Sequence, residues 1–400
     1  MTERLYYNPA HKLEFTAQVS SVIPLEAGRC AVELDRTAFY PTGGGQPTDT
    51  GTLAAARVVE CLEAKDEGVL HIVEGAAPRP GDTVTGRVDA DRRRDHTQQH
   101  TGQHILSQAF MSLFQAETRG FRIFEEVSEI DVALGNPTDA RIETAVDLAN
   151  EIIWENRSVN VLQVTPEEAA QLPLRKDSER EGLLRLVEIE RFDLTPCGGT
   201  HARRTGDIGV IAVRSWSRAK GLTRLEFMAG ERVVADYRRA NSTARHVAAL
   251  FSVARDDTPE AIVRLREEGK QLQRRLRELE TIAARVEAAQ IVKETAPRSD
   301  GLRMVVRVEP TRDAEYLKAL ALALAAEPQV VALLATPDKN DSIKLVFARS
   351  ANVPGDMNAL MRNICTQLNG RGGGRSDFAQ GGGRHTPELA ALLLQQAEKV

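Results

Sequence analysis

His100 and His104 stand in the string His-Thr-Gly-Gln-His, and Cys197 and His201 in Cys-Gly-Gly-Thr-His. Three imidazoles and one thiolate are the donor set of a tetrahedral Zn²⁺, at about 2.0–2.1 Å to nitrogen and about 2.3 Å to sulfur. Residues 97–109 read as a helix, so the i, i+4 pair His100 and His104 shares one face and can grip a single ion. The second pair flanks Gly198-Gly199, a turn that lets Cys197 and His201 converge. One His-x-x-x-His string arises easily by chance. A matching Cys-x-x-x-His string, in a chain with only 8 histidines and 4 cysteines, makes coincidence a poor account. One Zn²⁺ per chain is expected.

The same strings exclude other metal chemistry. Thr101 follows His100 where a metalloprotease helix would carry its glutamate. A zinc finger would place its two pairs about 12–20 residues apart, whereas here residues 105–196 intervene. The domain must therefore assemble the site, not the metal the domain. His96, one helical turn before His100, is a further candidate for the metal shell. His11, His71, His246 and His385 are isolated and read as structural or surface residues.

Two glycine-rich strings could approach a ligand closely. In Pro41-Thr42-Gly43-Gly44-Gly45-Gln46-Pro47, three glycines precede an amide that both donates and accepts hydrogen bonds. A connecting turn is the plainer reading. If Gln46 contacts substrate, replacing it should cost activity and leave the metal content unchanged. Residues 370–384 hold seven glycines and three arginines, Arg371, Arg375 and Arg384. Such a loop fits phosphate oxygens, or else a tight reversal between helices with solvated arginines. It lacks the Gly-Lys-Ser/Thr of a P-loop, which argues against nucleotide hydrolysis.

The elements that must position these groups fall into four segments of a mixed α+β, multidomain chain. Residues 1–90 read as strands, including Leu13–Val19, Cys30–Leu34 and Val69–Val73, and predict a small N-terminal β-barrel. Residues 91–230 mix the metal-bearing helix with strands near 121–126, 129–133, 184–189 and 208–213 and a helix near 141–155. This is an α+β zinc-binding domain. In 231–299, Ile262, Leu265, Gly269, Leu272, Leu276, Leu279, Ala283 and Val286 step three or four apart, as in a coiled-coil seam. An earlier helix over 231–251 makes an antiparallel helical hairpin the economical reading. Residues 300–400 predict a C-terminal α/β unit, with strands near 302–308, 330–335 and 343–348 and helices near 314–325, 357–368 and 387–398.

Four hundred residues allow two to four domains. With 52 Lys and Arg against 57 Asp and Glu, the net charge of −5 offers no global attraction to nucleic acid. RNA binding would need local basic surface. Cys30, Cys61, Cys197 and Cys365 show no disulfide framework spacing. With no signal-like start and no run of 18 apolar residues, a cytoplasmic protein without membrane contact is expected.

Three separated strings in this order, Pro-Thr-Gly-Gly-Gly-Gln-Pro, His-Thr-Gly-Gln-His and Cys-Gly-Gly-Thr-His, resemble the editing domain of alanyl-tRNA synthetase and its free-standing AlaX-type relatives. Gly372 to Gly383 is similar to that synthetase's C-terminal, DHH-associated domain. The resemblance covers nearly the whole chain and leaves no room for the synthetase's catalytic domain. It implies a long-form editing protein that deacylates mischarged alanine tRNA, seryl-tRNA first and glycyl-tRNA second, in a zinc-containing pocket. It implies that His100, His104, Cys197 and His201 hold the zinc. It also points to Gln46 and Thr37, with Gly43, Gly44 and Gly45, as substrate-binding residues. Arg371, Arg375 and Arg384 would contact tRNA. The C-terminal domain would grip tRNA or self-associate, and a homodimer could form through it or through the helical hairpin. The rival readings are a zinc-containing RNA-binding protein without hydrolysis and a phosphoesterase. The chain has no Asp-His-His string, which counts against the second.

Overall fold

The computed structural model describes residues 2–7, 12–64, 68–176, 182–338 and 341–400. His11 lies outside the described residues. The chain divides into two units, Met1–His246 and Val247–Val400.

In the first unit, β1 (Glu3–Arg4) pairs in parallel with β4 (Arg36–Thr37). Six further strands, β2 (Glu14–Pro24), β3 (Arg29–Leu34), β5 (Gly51–Leu53), β6 (Ala56–Glu63), β7 (Val69–Glu74) and β8 (Thr83–Val88), close a barrel in the order β2-β3-β7-β6-β5-β8. The period-two pattern of the sequence is the cause. Phe15, Ala17 and Val19 are buried between exposed Glu14, Thr16 and Gln18, and they join Val32, Leu34, Val58, Val73 and Val84 in one apolar interior. Closure leaves the barrel no open edge.

Helix α1 (Ala90–Phe114) runs further than the expected 97–109 because its ends are specified outside that range. Asp89 caps its start by accepting from Asp91 N and Arg92 N, and Gln115 ends it in the left-handed region at φ 56°. Its buried residues change character along its length. The first half buries polar groups, Arg93, His96, Gln99, His100 and His104. The second half buries Ile105, Leu106, Ala109 and Phe110. That apolar half packs with Ile142, Ala145, Ala149 and Ile153 of α2 (Asp139–Trp154).

β9 (Thr118–Ile123), β10 (Ser128–Val132), β14 (Ile211–Ala219) and β15 (Leu222–Ala229) form an antiparallel sheet in the order β14-β15-β10-β9. Ile130, Leu225 and Phe227 of this sheet complete the core around α1. A second sheet joins β11 (Val159–Val164), β12 (Leu184–Ile189) and β13 (Asp193–Pro196), with the short α3 (Pro166–Ala169) following β11. The strand expected from 208 begins only at Ile211, because Thr205–Ile208 forms a 3-10 turn. Thr205 pins that turn, its Oγ1 donating to Ile152 O at 2.8 Å and accepting from Arg157 N at 2.8 Å. Helix α4 (Glu231–Leu250) follows the sheet.

In the second unit, α5 (Thr258–Glu294) leads into β16 (Arg303–Val308), α6 (Ala314–Ala326), β17 (Val330–Asp338), β18 (Ser342–Arg349), α7 (Met357–Gln367), β19 (Arg371–Gly374), β20 (Phe378–Arg384) and α8 (Leu389–Ala397). The five strands form one sheet, β16-β17-β18-β20-β19. Alternate residues of β17 serve opposite faces: Val331, Leu333 and Ala335 pack with α7 and α8, and Val330, Ala332 and Leu334 with α5 and α6. The glycine-rich string expected as a loop is a hairpin of β19 and β20 inside this sheet, with Gly372 paired to Gly381. Helix α7 crosses close above that pair, and a side chain on Gly372 would run into Cys365 Sγ. The seam of α5 is present in sequence register, yet Leu265, Leu272, Leu276, Leu279 and Val286 are exposed. The residues of α5 that pack on α6 are Ala284, Ala288 and Ile291.

Candidate metal centre

α1 supplies His100 and His104, and the turn after β13 supplies Cys197 and His201. One ligand atom from each lies within 4.8 Å of all the others, and only Cys197 among the four is partly exposed. Cys197 Sγ is 3.2 Å from His100 Nε2 and 3.3 Å from His201 Nε2. Donors on a tetrahedral ion with bonds of about 2.0–2.3 Å stand about 3.3–3.6 Å apart, so this spacing fits a metal ion. Glycine is required at 199 because the His100 ring lies against it; a Cβ there would stand 2.6 Å from Nδ1. Burial opposes ionisation of the Cys197 thiol, but the imidazoles of His100, His201 and His104 outweigh it and hold its pKa well below the ordinary thiol value. A thiolate beside three imidazoles is a ready ligand set.

Each ring is fixed by its other nitrogen. His100 Nδ1 lies 2.9 Å from Gln46 Oε1, His104 Nδ1 lies 3.1 Å from Asp193 Oδ2, and His201 Nδ1 lies 3.4 Å from Thr101 Oγ1. Donation from Nδ1 leaves each Nε2 lone pair directed at the centre, the tautomer a metal needs. Asp193 is itself held, its Oδ1 accepting from Arg175 Nε at 2.7 Å and from Thr195 Oγ1 at 3.0 Å. Burial would raise its pKa, but the His104 contact and the Arg175 charge bring it down to about 2. Asp193 and Arg175 escaped the sequence reading. The available signal was that a ligating histidine wants a carboxylate partner, but nothing in spacing singled out these two.

The Gly43–Gln46 turn reaches the centre because both of its ends are tied down. Gly43 N donates to Gln46 O and Gln46 N donates back to Gly43 O, at 3.1 and 2.9 Å. Gly45, at φ +80°, offers its carbonyl to Ile123 N at 2.8 Å, and a Cβ there would strike the Phe121 backbone. At the base, Asp49 and Arg93 form an ion pair with side chains 0% and 3% exposed. Asp49 Oδ2 also accepts from Tyr40 N at 2.7 Å, and Arg93 Nη2 donates to Ala38 O at 2.6 Å. Gln46 is fully buried, with Oε1 on His100 and Nε2 donating to Thr200 Oγ1 at 2.9 Å. Its amide holds the His100 ring.

Thr37, grouped with Gln46 on sequence resemblance, has other partners. Its hydroxyl lies 2.7 Å from His71 Nε2 and accepts from Phe39 N at 3.1 Å. His71 Nδ1 lies 2.9 Å from Val32 O, so Nε2 is the acceptor and the Thr37 hydroxyl the donor. Nor does His96 join the four donors. It is buried, burial and Arg92 lower its pKa to about 4, and it lines a cavity of about 740 Å³ with Arg92, Phe124 and Arg232.

Family models match three stretches of the chain: "tRNA synthetases class II (A)" at 6–92, "Threonyl and Alanyl tRNA synthetase second additional domain" at 184–226, and "DHHA1 domain" at 301–400. The chain is 32% identical to the alanyl-tRNA editing protein AlaX-L of Pyrococcus horikoshii, over 97% of this chain and 96% of that protein. The chain belongs to the alanyl-tRNA editing protein family. It is also 34% identical to the alanine–tRNA ligase of Natronomonas pharaonis and 31% identical to that of Archaeoglobus fulgidus. There the match spans 98% and 95% of this chain but only 43% and 42% of the ligases, less than half their length. Among solved structures, the C-Ala domain of Aquifex aeolicus alanyl-tRNA synthetase is 27% identical over 24% of this chain and 89% of that domain, at a TM-score of 0.23.

For a member of the editing family, the remaining sequence candidates lie in the second unit. Arg371, Arg375 and Arg384 are exposed on the β19–β20 hairpin, and Arg375 Nε donates to Asp377 Oδ1 at 3.1 Å. Among the described residues, no helix is long and apolar enough to cross a membrane.

Proposed function

We propose that this chain hydrolyses, in trans, the ester joining a wrongly attached amino acid to alanine tRNA, at a Zn²⁺ held by His100, His104, Cys197 and His201. The end-to-end match to an alanyl-tRNA editing protein carries this reading, and the gathering of four donors at one point supports it. Seryl-tRNA is the principal substrate and glycyl-tRNA the second. Serine is larger than alanine and glycine smaller, so a size sieve cannot separate all three. A site that pairs the serine hydroxyl separates serine from alanine, by about 10⁴–10⁵.

When bound, the ion would supply a fixed positive centre beside the substrate. Four protein donors favour an ordering role. Gln46 and Asp193 hold His100 and His104 in the ligating tautomer. Gly43, Gly44 and Gly45 let the turn close over the donors and wall the substrate space. Thr37 acts from the barrel side, steadying Phe39 and the entry to that turn. The segments 1–90, 91–230, 231–299 and 300–400 serve as barrel, editing domain, helical arm and C-terminal domain. Arg371, Arg375 and Arg384 contact the tRNA backbone, and the exposed seam of the arm provides a route to a homodimer. A cytoplasmic location follows from the substrate.

The test is release of serine from seryl-tRNA prepared on alanine tRNA, with alanyl-tRNA as control. Rapid release from the first with the second spared is expected. Equal rates on both would defeat discrimination through the hydroxyl. Tight tRNA binding without release would favour the RNA-binding reading.

A further inference from the structure

Arg185, on β12, is a largely buried cation that makes no ion pair with a carboxylate among the described residues. Its Nη1 donates to Cys197 O at 2.5 Å, its Nη2 reaches Tyr7 O at 3.5 Å, and its Nε is buried without a partner. The guanidinium lies 5.0 Å from the centroid of the Tyr7 ring. Tyr7 meets Tyr6 edge-on at 4.9 Å, and Tyr6 meets Tyr40 at 5.3 Å. The surroundings are thus carbonyls, phenol rings and the thiolate of Cys197, which is committed to the metal centre. Other withdrawn arginines of this unit are compensated: Arg93 pairs with Asp49 and Arg175 with Asp193. A guanidinium keeps its charge at all ordinary pH, and removing it from water without a counter-ion is costly.

The position of Arg185 is as telling as its lack of a counter-ion among the described residues. His100, His104 and His201 are buried, whereas Cys197 and Gly198 are partly exposed. Tyr7 and Arg185 are partly exposed next to these two residues, with the Tyr7 hydroxyl 3.7 Å from where a Cβ on Gly198 would stand and Arg185 on the Cys197 carbonyl. A substrate that brings its ester to the cluster from the side of Cys197 and Gly198 passes Arg185.

We infer that Arg185 receives a phosphodiester of the tRNA 3′ end while the ester lies at the metal centre. This inference rests on the editing reading above. The aminoacyl group itself carries an ammonium, which Arg185 repels. The nearest anion on the same molecule is the phosphate of the terminal nucleotide, whose oxygens match the guanidinium fork.

The experiment compares wild type with Arg185→Gln and Arg185→Lys on seryl-tRNA of alanine tRNA over a range of salt, with metal content measured in each. For Arg185→Gln, KM should rise roughly 10- to 100-fold, the loss of one charge-assisted contact. The kcat should change far less and the metal content should hold. The slope of log kcat/KM against log salt should become shallower by about 0.7, the share of one phosphate on a single strand. Arg185→Lys should restore part of the KM and most of the slope. The gap between wild type and Arg185→Gln should narrow on the seryl ester of adenosine, which has no phosphate. An unchanged salt slope, or equal losses on both substrates with metal lost as well, would overturn the inference and leave Arg185 a prop for the Cys197 turn. If the wild-type protein releases no serine, the editing reading fails, and the salt slope for binding uncharged tRNA by wild type and Arg185→Gln then decides the phosphate contact.

Discussion

At the residue scale, the His100 ring is caught between Cys197 Sγ at one nitrogen and Gln46 Oε1 at the other. This changes what replacing Gln46 should do. A substrate contact at Gln46 would leave the metal untouched, whereas an amide that orients a ligand will not. Gln46→Ala is expected to weaken metal affinity about 10- to 100-fold, measured by competition with a chelator, and serine release should fall with it. Full affinity in a variant that has lost activity would return Gln46 to direct substrate contact. Cys197→Ala removes the only thiolate of the set and should abolish stoichiometric metal, read by elemental analysis of the purified protein. Zinc at the wild-type level in that variant would exclude Cys197 as a ligand.

At the element scale, the Gly43–Gln46 turn depends on the Asp49–Arg93 pair beneath it. Removing one member leaves the other buried and uncompensated, which costs about 3–5 kcal/mol. Asp49→Ala should therefore lower the denaturation midpoint of the first unit markedly, and Asp49→Asn, which still accepts from Tyr40 N, should lower it less. Identical midpoints for Asp49→Ala and wild type would mean that the pair does not hold the turn. The barrel carries a separate acid sensitivity at His71. Burial lowers its pKa from 6.5 to about 4, because the folded barrel has no water to solvate an imidazolium, though the hydrogen bond to Val32 O partly opposes this. The unfolded chain takes up the proton near 6.5 and the folded chain does so only near 4. The stabilising contribution is thus complete above 6.5, falls as the pH drops toward 4, and then levels off. A shift of this size corresponds to about 3 kcal/mol. Equilibrium unfolding between pH 7 and 4 should show the fall, and His71→Gln should flatten it. An equally steep fall in that variant would place the acid sensitivity elsewhere.

At the scale of the whole molecule, a net charge of −5 means that any grip on tRNA must come from local surface. The β19–β20 hairpin carries Arg371 and Arg384 on its strands and Arg375 in the turn between them, all exposed. Joint replacement of the three by glutamine should weaken tRNA binding across sequences. The slope of log K against log salt should become shallower by about two to three units on duplex regions, near one per phosphate contact. Serine release at saturating tRNA should stay near wild type, because the hairpin lies in the second unit and the donors in the first. An unchanged slope would make the arginines solvated surface and the glycines a packing device for α7.

The sequence by itself determined the candidate donor set that the fold gathers, because residue type and i, i+4 spacing are local properties that a helix or a tight turn converts directly into geometry. It also determined the barrel strands and the α/β order of the second unit, since periods of two and of 3.6 record which residues face a core. What it could not determine was who stands behind the ligands. Gln46 is 54 residues from His100, and Asp193 is 89 from His104. Their meeting depends on where α1 runs relative to the barrel and to β13. The glycine-rich string near the C-terminus lacked any strand periodicity, because glycine has no side chain to alternate. Only pairing with β18 made it a strand. Thr37 and Gln46, nine residues apart, acquired different partners because β4 and the Gly43–Gln46 turn point their side chains into different surroundings. Chain-local chemistry was legible before folding; polar partners that must come from distant segments were fixed only when the packed core decided which segments meet.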